Sequence, residues 1–204
     1  MKHDINTSGF VYRLRPVMVD DAQTIIDIRL ADAVRNRYIH PISPDPVEQI
    51  KWLARYYERE DDYYFAAENI YTNEVDGLVG IYNIEGNNGE WGRLVSRKNS
   101  FVIPDLIGLT LKVAFVILNL KKLVSFVNTN NKHAVTTTEG TGAVCEGRRI
   151  ADYEIDDVLQ EEICYYLTPE IYETVSKPYL EKAAQSVYNM YKRRQVKLKE
   201  NGRC

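Results

Sequence analysis

The spacing of apolar residues switches along this chain between the period of two that marks strands and the three-to-four-residue period that marks helices. From Phe10 to Val17 the residues alternate, with Val11, Arg13, Arg15 and Val17 on one face and Phe10, Tyr12, Leu14 and Pro16 on the other, and Pro16 closes a short first strand. Asp20 and Asp21 offer an N-cap and a first-turn acid to a helix striped by Ala22, Ile25, Ile26, Ile28, Leu30 and Ala33. That helix should end before Pro41, Pro44 and Pro46, a stiff connector to a second helix starting near Ser43 to Asp45. The spacing of Val47, Ile50, Leu53, Ala54 and Tyr57 predicts its buried face, and the acidic group Glu58, Glu60, Asp61 and Asp62 reads as its solvated end. Strands then follow at Tyr63 to Asn69 and Leu78 to Glu85, and Gly86 to Gly89 turns the chain into a further strand, Glu90 to Ser96.

After a polar loop from Arg97 to Phe101, Pro104 and Asp105 sit where a helix can begin. Leu106, Leu109, Val113, Phe115, Val116 and Leu120 make it apolar on most faces, so the sheet should cover it, and Lys121 and Lys122 suit its C-terminal end. Leu123 to Val127 reads as a buried strand and Lys132 to Gly140 as a short polar helix. Two strands, about Ala143 to Tyr153 and Val158 to Leu167, meet at Asp156 and Asp157. Thr168 and Pro169 are N-cap and first residue of a last helix with Leu180, Ala183, Ala184, Val187 and Tyr191 as its stripe. The adjacent pairs Tyr63, Tyr64 and Tyr165, Tyr166 should each send one ring to either sheet face. The predicted fold is α/β in the α+β sense: a mixed, mostly antiparallel sheet of about seven strands with helices on both faces. A single domain spans 1–204, with 1–9 and 197–204 as flexible ends.

Composition narrows the class. With 204 residues, 45% of them hydrophobic, the chain can build one good-sized core, and its net charge of -3 argues against a nucleic-acid partner. No internal repeat stands out. The N-terminus lacks the apolar core of a signal peptide, so a cytoplasmic protein is expected. The run Leu106 to Leu120 contains Lys112 and is shorter than the roughly 20 apolar residues that span a bilayer, so no membrane partner is expected. Cys145, Cys164 and Cys204 are odd in number and lack metal-ligand spacing, which fits free thiols in a reducing compartment and no metal. The glycines of Glu139 to Gly147 match neither a dinucleotide fingerprint nor a phosphate loop ending in Lys-Ser/Thr.

This order of elements, with Tyr12-Arg-Leu-Arg-Pro16 on the first strand and Glu90-Trp-Gly-Arg-Leu-Val-Ser96 on the fourth, resembles the GCN5-related N-acetyltransferase superfamily over nearly the whole chain. Ile50-Lys-Trp-Leu53, Asp61-Asp-Tyr-Tyr-Phe65 and Leu118-Asn-Leu-Lys-Lys-Leu-Val124 add to the likeness, which is to the branch of ribosomal-protein and nucleotide-linked amino-sugar acetyltransferases. The resemblance implies an acyl-CoA N-acyltransferase fold in which the fourth and fifth strands splay around the pantetheine of acetyl-CoA. Carried over by position, Leu94, Val95 and Ser96 offer backbone groups to the pantetheine, and Arg97, Lys98, Asn99, Ser100 and Phe101 occupy the pyrophosphate loop. The family's loop usually carries glycines that are missing here, and Asn99 is the residue best able to take up positive φ in their place. Asn131 matches the asparagine that follows the fifth strand, and this alignment puts Thr138 where the family has the tyrosine that protonates the departing thiolate. A threonine hydroxyl is a much weaker acid than a phenol of pKa about 10.

Amide formation needs a neutral amine, so a base near the acceptor is useful. Glu90 holds the position where several family members keep a general base, and His40 lies in the connector that tends to border the acceptor site. His133, two residues after Asn131, is a further candidate contact to coenzyme A. The implied activity is transfer of an acetyl or other short acyl group from coenzyme A to the primary amine of a small molecule, an amino sugar on a nucleotide among the acceptors. The alternatives are a catalytically degenerate binding protein of the same fold and a protein N-terminal acetyltransferase. A homodimer is left open.

Overall fold

The structure, a computed structural model, describes the backbone of residues 2–201 and the side chains of residues 2–194. Its strands are β1 (Thr7–Ser8), β2 (Tyr12–Pro16), β3 (Tyr63–Asn69), β4 (Val75–Glu85), β5 (Asn88–Ser96), β6 (Lys122–Asn128), β7 (Val144–Ile155) and β8 (Val158–Leu167). The helices are α1 (Ala22–Leu30), α2 (Ala33–Asn36), α3 (Pro46–Tyr57), α4 (Ile103–Lys112), α5 (Lys132–Gly140), α6 (Pro169–Ile171) and α7 (Lys177–Asn201). The strands form one sheet in the order β1-β2-β3-β4-β5-β6-β8-β7, antiparallel at every junction except β5 with β6.

The sheet therefore has eight strands where the alternation predicts about seven. The extra one is β1, whose Thr7 and Ser8 pair with Leu14 and Arg13, and two residues are too few to show a period. The segment expected as a flexible N-terminal end thus carries a strand, and His3 packs its ring 5.2 Å from Tyr63 and 4.8 Å from Phe65. At the other end the α7 backbone runs on to Asn201, while Met1 and 202–204, within the ends expected to be flexible, lie outside the described residues.

Each sheet face has its own core. Leu14, Phe65, Val79, Leu106, Phe115 and Leu180 pack together under α4 and α7. Val17, Ile25, Leu53, Tyr56, Tyr64 and Val95 pack under α1 and α3 on the opposite side. Residues 64–67 alternate between the two, which is why a nearly continuous apolar strand belongs in the middle of a covered sheet. Tyr63 and Tyr64 accordingly face opposite sides, as their adjacency predicts.

Three helices depart from the expected faces. On α1, Leu30 is 44% exposed and Ala33 falls in the separate α2. On α3 the buried residues are Gln49, Leu53 and Tyr56, while Val47 and Ile50 are 55% and 42% exposed. Aromatic area decides the rotation: Trp52 stacks on Tyr56 at 5.6 Å, and the Tyr64 amide donates to the Tyr56 hydroxyl at 2.8 Å. Asp21 does not cap α1; its carboxylate takes both guanidinium nitrogens of Arg15, at 2.7 and 2.8 Å, and the amide of Met18. On the helix after the loop, Val116 is 59% exposed because a π-helical turn over Val113–Ile117 shifts the register at the end of α4.

Burial holds the His3 imidazole down at about 4, and both ring nitrogens are buried without a hydrogen-bond partner. The folded state refuses a proton that an unfolded histidine binds near 6.5, so this contribution to stability is complete above pH 6.5 and is lost as pH falls toward 4. Discounted for the ring's partial exposure, the loss at pH 5 is about 1–2 kcal/mol. Urea midpoints of wild type and His3→Phe should diverge between pH 7.5 and pH 5, the wild type losing more; parallel pH dependence would remove His3 from the account.

Candidate active site

The pairing of β5 with β6 is short. It runs Asn88 with Lys122, Gly89 with Leu123 and Glu90 with Val124, and then stops. Beyond it, Gly92, Val95 and Ser96 stay laddered to β4, while Ser125 to Asn128 stay laddered to β8. The two strands diverge, and the edge of β5 that faces β6 has no ladder partner after Glu90. Backbone groups on such an edge need another partner, which a ligand lying in the gap can supply.

Local geometry reinforces the divergence. Opposite Val79 the β5 register slips by a bulge, with Leu78 across from Val95 and Gly80 across from Gly92, and Arg93 within it has φ 53°. Bulges bend a strand and re-aim its side chains. Here the Arg93 guanidinium is held by both oxygens of Asp62, at 2.7 and 2.9 Å, and lies 4.2 Å from the centroid of the Tyr82 ring. Arg59 adds a third bond to Asp62 at 3.1 Å. Asp62, read from sequence as a solvated turn acid, is instead buried beneath that ion pair.

The gap opens into a cleft of about 710 Å³, within the roughly 300–1,000 Å³ of small-molecule sites. Leu94, Val95, Ser96, Lys98 and Asn131 line it, and so do Glu90 and His40. Residues singled out on three separate stretches of sequence, His40, Glu90 to Lys98 and Asn131, therefore share one site. Glu90 accepts a bond from the Asn83 side chain at 3.0 Å, on the last rung before the strands part. His40 sets its ring edge-on to Tyr153 at 5.9 Å, and its carbonyl accepts from Arg29. His133 and Thr138 also line the cleft; Asn131 caps α5 by accepting from the Ala134 amide at 3.1 Å.

The rest of the loop is placed otherwise. Arg97, Asn99, Ser100 and Phe101 turn their side chains to a separate pocket of about 190 Å³ shared with Tyr12, Asp76 and Tyr191, and only Lys98 borders both cavities. The cause is electrostatic: the Arg97 guanidinium lies 3.3 Å from Asp76 and donates to the Val75 carbonyl at 3.1 Å, so its charge is already met. Asn99 has φ 64°, the left-handed conformation expected of it, and the Ser100 amide and hydroxyl both close the turn on the Arg97 carbonyl. The α4 N-terminus follows, with Ile103 and Ile107 facing the main cleft.

The connector after α2 reaches across to the β7–β8 hairpin and to the segment after β6. Arg37 pairs with Asp156, and the Tyr38 hydroxyl donates to the Asn130 carbonyl at 3.4 Å. On the far wall Arg149 pairs with Glu162 at 2.9 Å and covers the Phe126 ring, and Asn128 donates to Tyr153 and Gln160. Tyr82, Asn83, Tyr38, Tyr153 and Arg149 carry no motif, and Arg93, which lies in the phrase Glu90 to Ser96, is marked as a lone cation in an apolar strand next to Gly92. Among the described residues no group of three or more potential metal ligands is brought together, and no helix is long and apolar enough to cross a membrane.

The model of a family described as an acetyltransferase (GNAT) domain matches residues 12–144. Among solved structures, apo FdhC, a nucleotide-linked sugar GNAT, is 21% identical, with a TM-score of 0.68 over 84% of this chain and 94% of that one. A spermidine N-acetyltransferase from Vibrio cholerae in complex with CoA and spermine is 22% identical, with a TM-score of 0.68 over 79% and 97%. A putative acetyltransferase is 18% identical, with a TM-score of 0.70 over 91% and 94%. No curated protein matches the chain.

Proposed function

This chain belongs to the GNAT acetyltransferase family, and from that membership we propose that it is an acyl-CoA dependent N-acyltransferase that moves an acetyl or other short acyl group to the primary amine of a small molecule. The observation that carries the reading is the parting of β5 from β6 after Glu90, which leaves backbone at Leu94 to Ser96 free to bind a pantetheine arm. Lys98 and the α4 N-terminus stand where they can meet its pyrophosphate. Glu90 and His40 border the acceptor end.

In the reaction the acceptor ammonium first loses a proton, its nitrogen attacks the thioester carbonyl, a C–N bond forms and the C–S bond breaks. The nitrogen loses a second proton in becoming an amide, one proton neutralises the departing thiolate, and the other leaves to solvent. Glu90 is the base nearest the point where the strands separate.

The contacts of Arg37 with Asp156 of the β7–β8 hairpin and of Tyr38 with Asn130 after β6 favour a small acceptor over a protein N-terminus. Among small amines we favour an amino sugar on a nucleotide. Arg35 lines the cleft, where its charge can meet a diphosphate. The likeness to a nucleotide-linked sugar GNAT points the same way, at the level of fold. A second reading, a binding protein without turnover, is favoured by Thr138 in place of a tyrosine.

Acetyl-CoA at a hundredfold over its Kd should stabilise the fold by about 2.7 kcal/mol, a Tm rise of roughly 5–10 °C. No shift at millimolar acetyl-CoA would overturn the enzyme reading. Thiol release against amino-sugar nucleotides, polyamines and peptides then separates the acceptors, and binding with no release from any of them supports the second reading. Lys98→Glu should weaken acetyl-CoA about tenfold, a 1.4 kcal/mol effect, and most at low salt. Unchanged affinity would take Lys98 out of the site.

A further inference from the structure

The placement of Tyr82 is specific. It lies on β4 at the rung facing Glu90, where the cleft begins. Its ring is pinned by the Arg93 guanidinium at 4.2 Å, and Arg93 is itself fixed by the buried Asp62. Its hydroxyl rests over Gly92: a Cβ built on Gly92 would meet the Tyr82 oxygen at 2.5 Å, so only glycine lets the phenol lie there. Gly92 is two residues past the last β5–β6 rung, at the apex of the gap.

That hydroxyl has the Glu90 carboxylate as its polar neighbour across the rung, close enough to act on the phenol. Tyr82 lines the cleft beside Glu90. A phenol held from behind by an ion pair and set beside a carboxylate at the mouth of the gap is placed to pass a proton between that carboxylate and a ligand.

We propose that Tyr82 is a catalytic residue: its hydroxyl receives the acceptor amine and relays the amine's proton to Glu90, with Arg93 and Asp62 as positioning residues. The inference rests on the N-acyltransferase reading. The relay balances without a free phenolate. As the phenol oxygen accepts a proton from the acceptor nitrogen, its own hydrogen passes to the Glu90 carboxylate, and Tyr82 ends as it began. The neutral amine is then free to attack. Burial and the nearby Glu90 charge push the Tyr82 ionisation well above the ordinary phenol value, which suits a group that stays protonated while it relays.

The test is Tyr82→Phe, which keeps the ring against Arg93 and removes the oxygen. Wild type must first show thiol release with some amine; if it shows none, the function reading fails and not this one. Given an active wild type, Tyr82→Phe should lower kcat/KM for the acceptor by about 10–100-fold. Tm and the acetyl-CoA shift should be unchanged. In a Glu90→Gln background the same substitution should cost little further, because two members of one proton path are not additive. Wild-type turnover in Tyr82→Phe overturns the proposal. So does a full additional loss in the Glu90→Gln background, which would give the two residues separate tasks. Gly92→Ala, which displaces the hydroxyl without removing it, should reproduce the kcat/KM loss, and normal turnover in that variant would also count against the relay.

Discussion

Glu90→Gln should lower kcat by 10²–10⁴-fold, the usual contribution of a placed general base, while leaving acetyl-CoA affinity within twofold of wild type. The substitution preserves shape, and the new side chain can still accept from Asn83 as Glu90 does at 3.0 Å. It removes only the capacity to take a proton. The position matters because Glu90 is on the final β5–β6 rung: its backbone belongs to the continuous sheet and its side chain faces the cleft that opens beyond. A base on such a rung is held rigidly, where a loop residue such as His40 is not. Steady-state kinetics with a saturating acceptor would decide it, and a kcat within threefold of wild type would assign the base elsewhere. His40→Ala gives the contrast, since a residue that borders the acceptor without accepting its proton should raise KM more than it lowers kcat.

The largest effect on stability is expected at Asp105. From the first turn of α4 its carboxylate accepts the amides of Val11 at 3.0 Å and Tyr12 at 3.1 Å on one oxygen and of Phe10 at 3.3 Å on the other. These amides precede and open β2. Gly9 packs against the same carboxylate so closely that any side chain there would run into it. Asp105→Ala leaves buried amides without a partner, each worth about 1–3 kcal/mol, so a loss of about 3–4 kcal/mol is expected in urea unfolding. Asp105→Asn keeps the oxygen that serves Val11 and Tyr12 and should cost about 1 kcal/mol. Burial raises the Asp105 carboxyl above its usual range despite the three amides. The folded state therefore holds its proton more tightly than the unfolded one, so the charge weakens the fold as pH rises through the raised value. Asp105→Asn should lessen that pH dependence. Equal losses in the two variants would show that the acceptor oxygen is not what matters.

The legible parts of the fold were those where one face of an element meets one layer of core. The α4 run, the β6 apolar strand, Thr168 capping α6 through the Ile171 amide and the Asp156-Asp157 turn, both residues at positive φ, were all readable from local pattern. The unreadable parts were those where a partner far along the chain outweighed the local rule. Asp21 has the sequence position of a cap and is taken by Arg15. The α3 face follows the ring of Tyr64, outside the helix, and Val47 and Ile50 are left outside for it. The same holds at the site. Glu90, Leu94 to Ser96 and Asn131 came from family likeness by position and stand together in one cleft, whereas the Arg97 guanidinium lies against Asp76 and lines a separate pocket.

From sequence alone came the order of the elements and the two-sided sheet, because each depends on periodicity and spacing within short stretches, and the resemblance carried by phrases such as Glu90-Trp-Gly-Arg-Leu-Val-Ser96 added the family. Only the tertiary structure decided where β5 leaves β6, which side the loop side chains face and what surrounds Glu90. Those depend on long-range pairing: Asp62 fixing Arg93 across 31 positions of chain, Asp76 holding Arg97, and a bulge whose positive φ at a non-glycine residue no local pattern encodes.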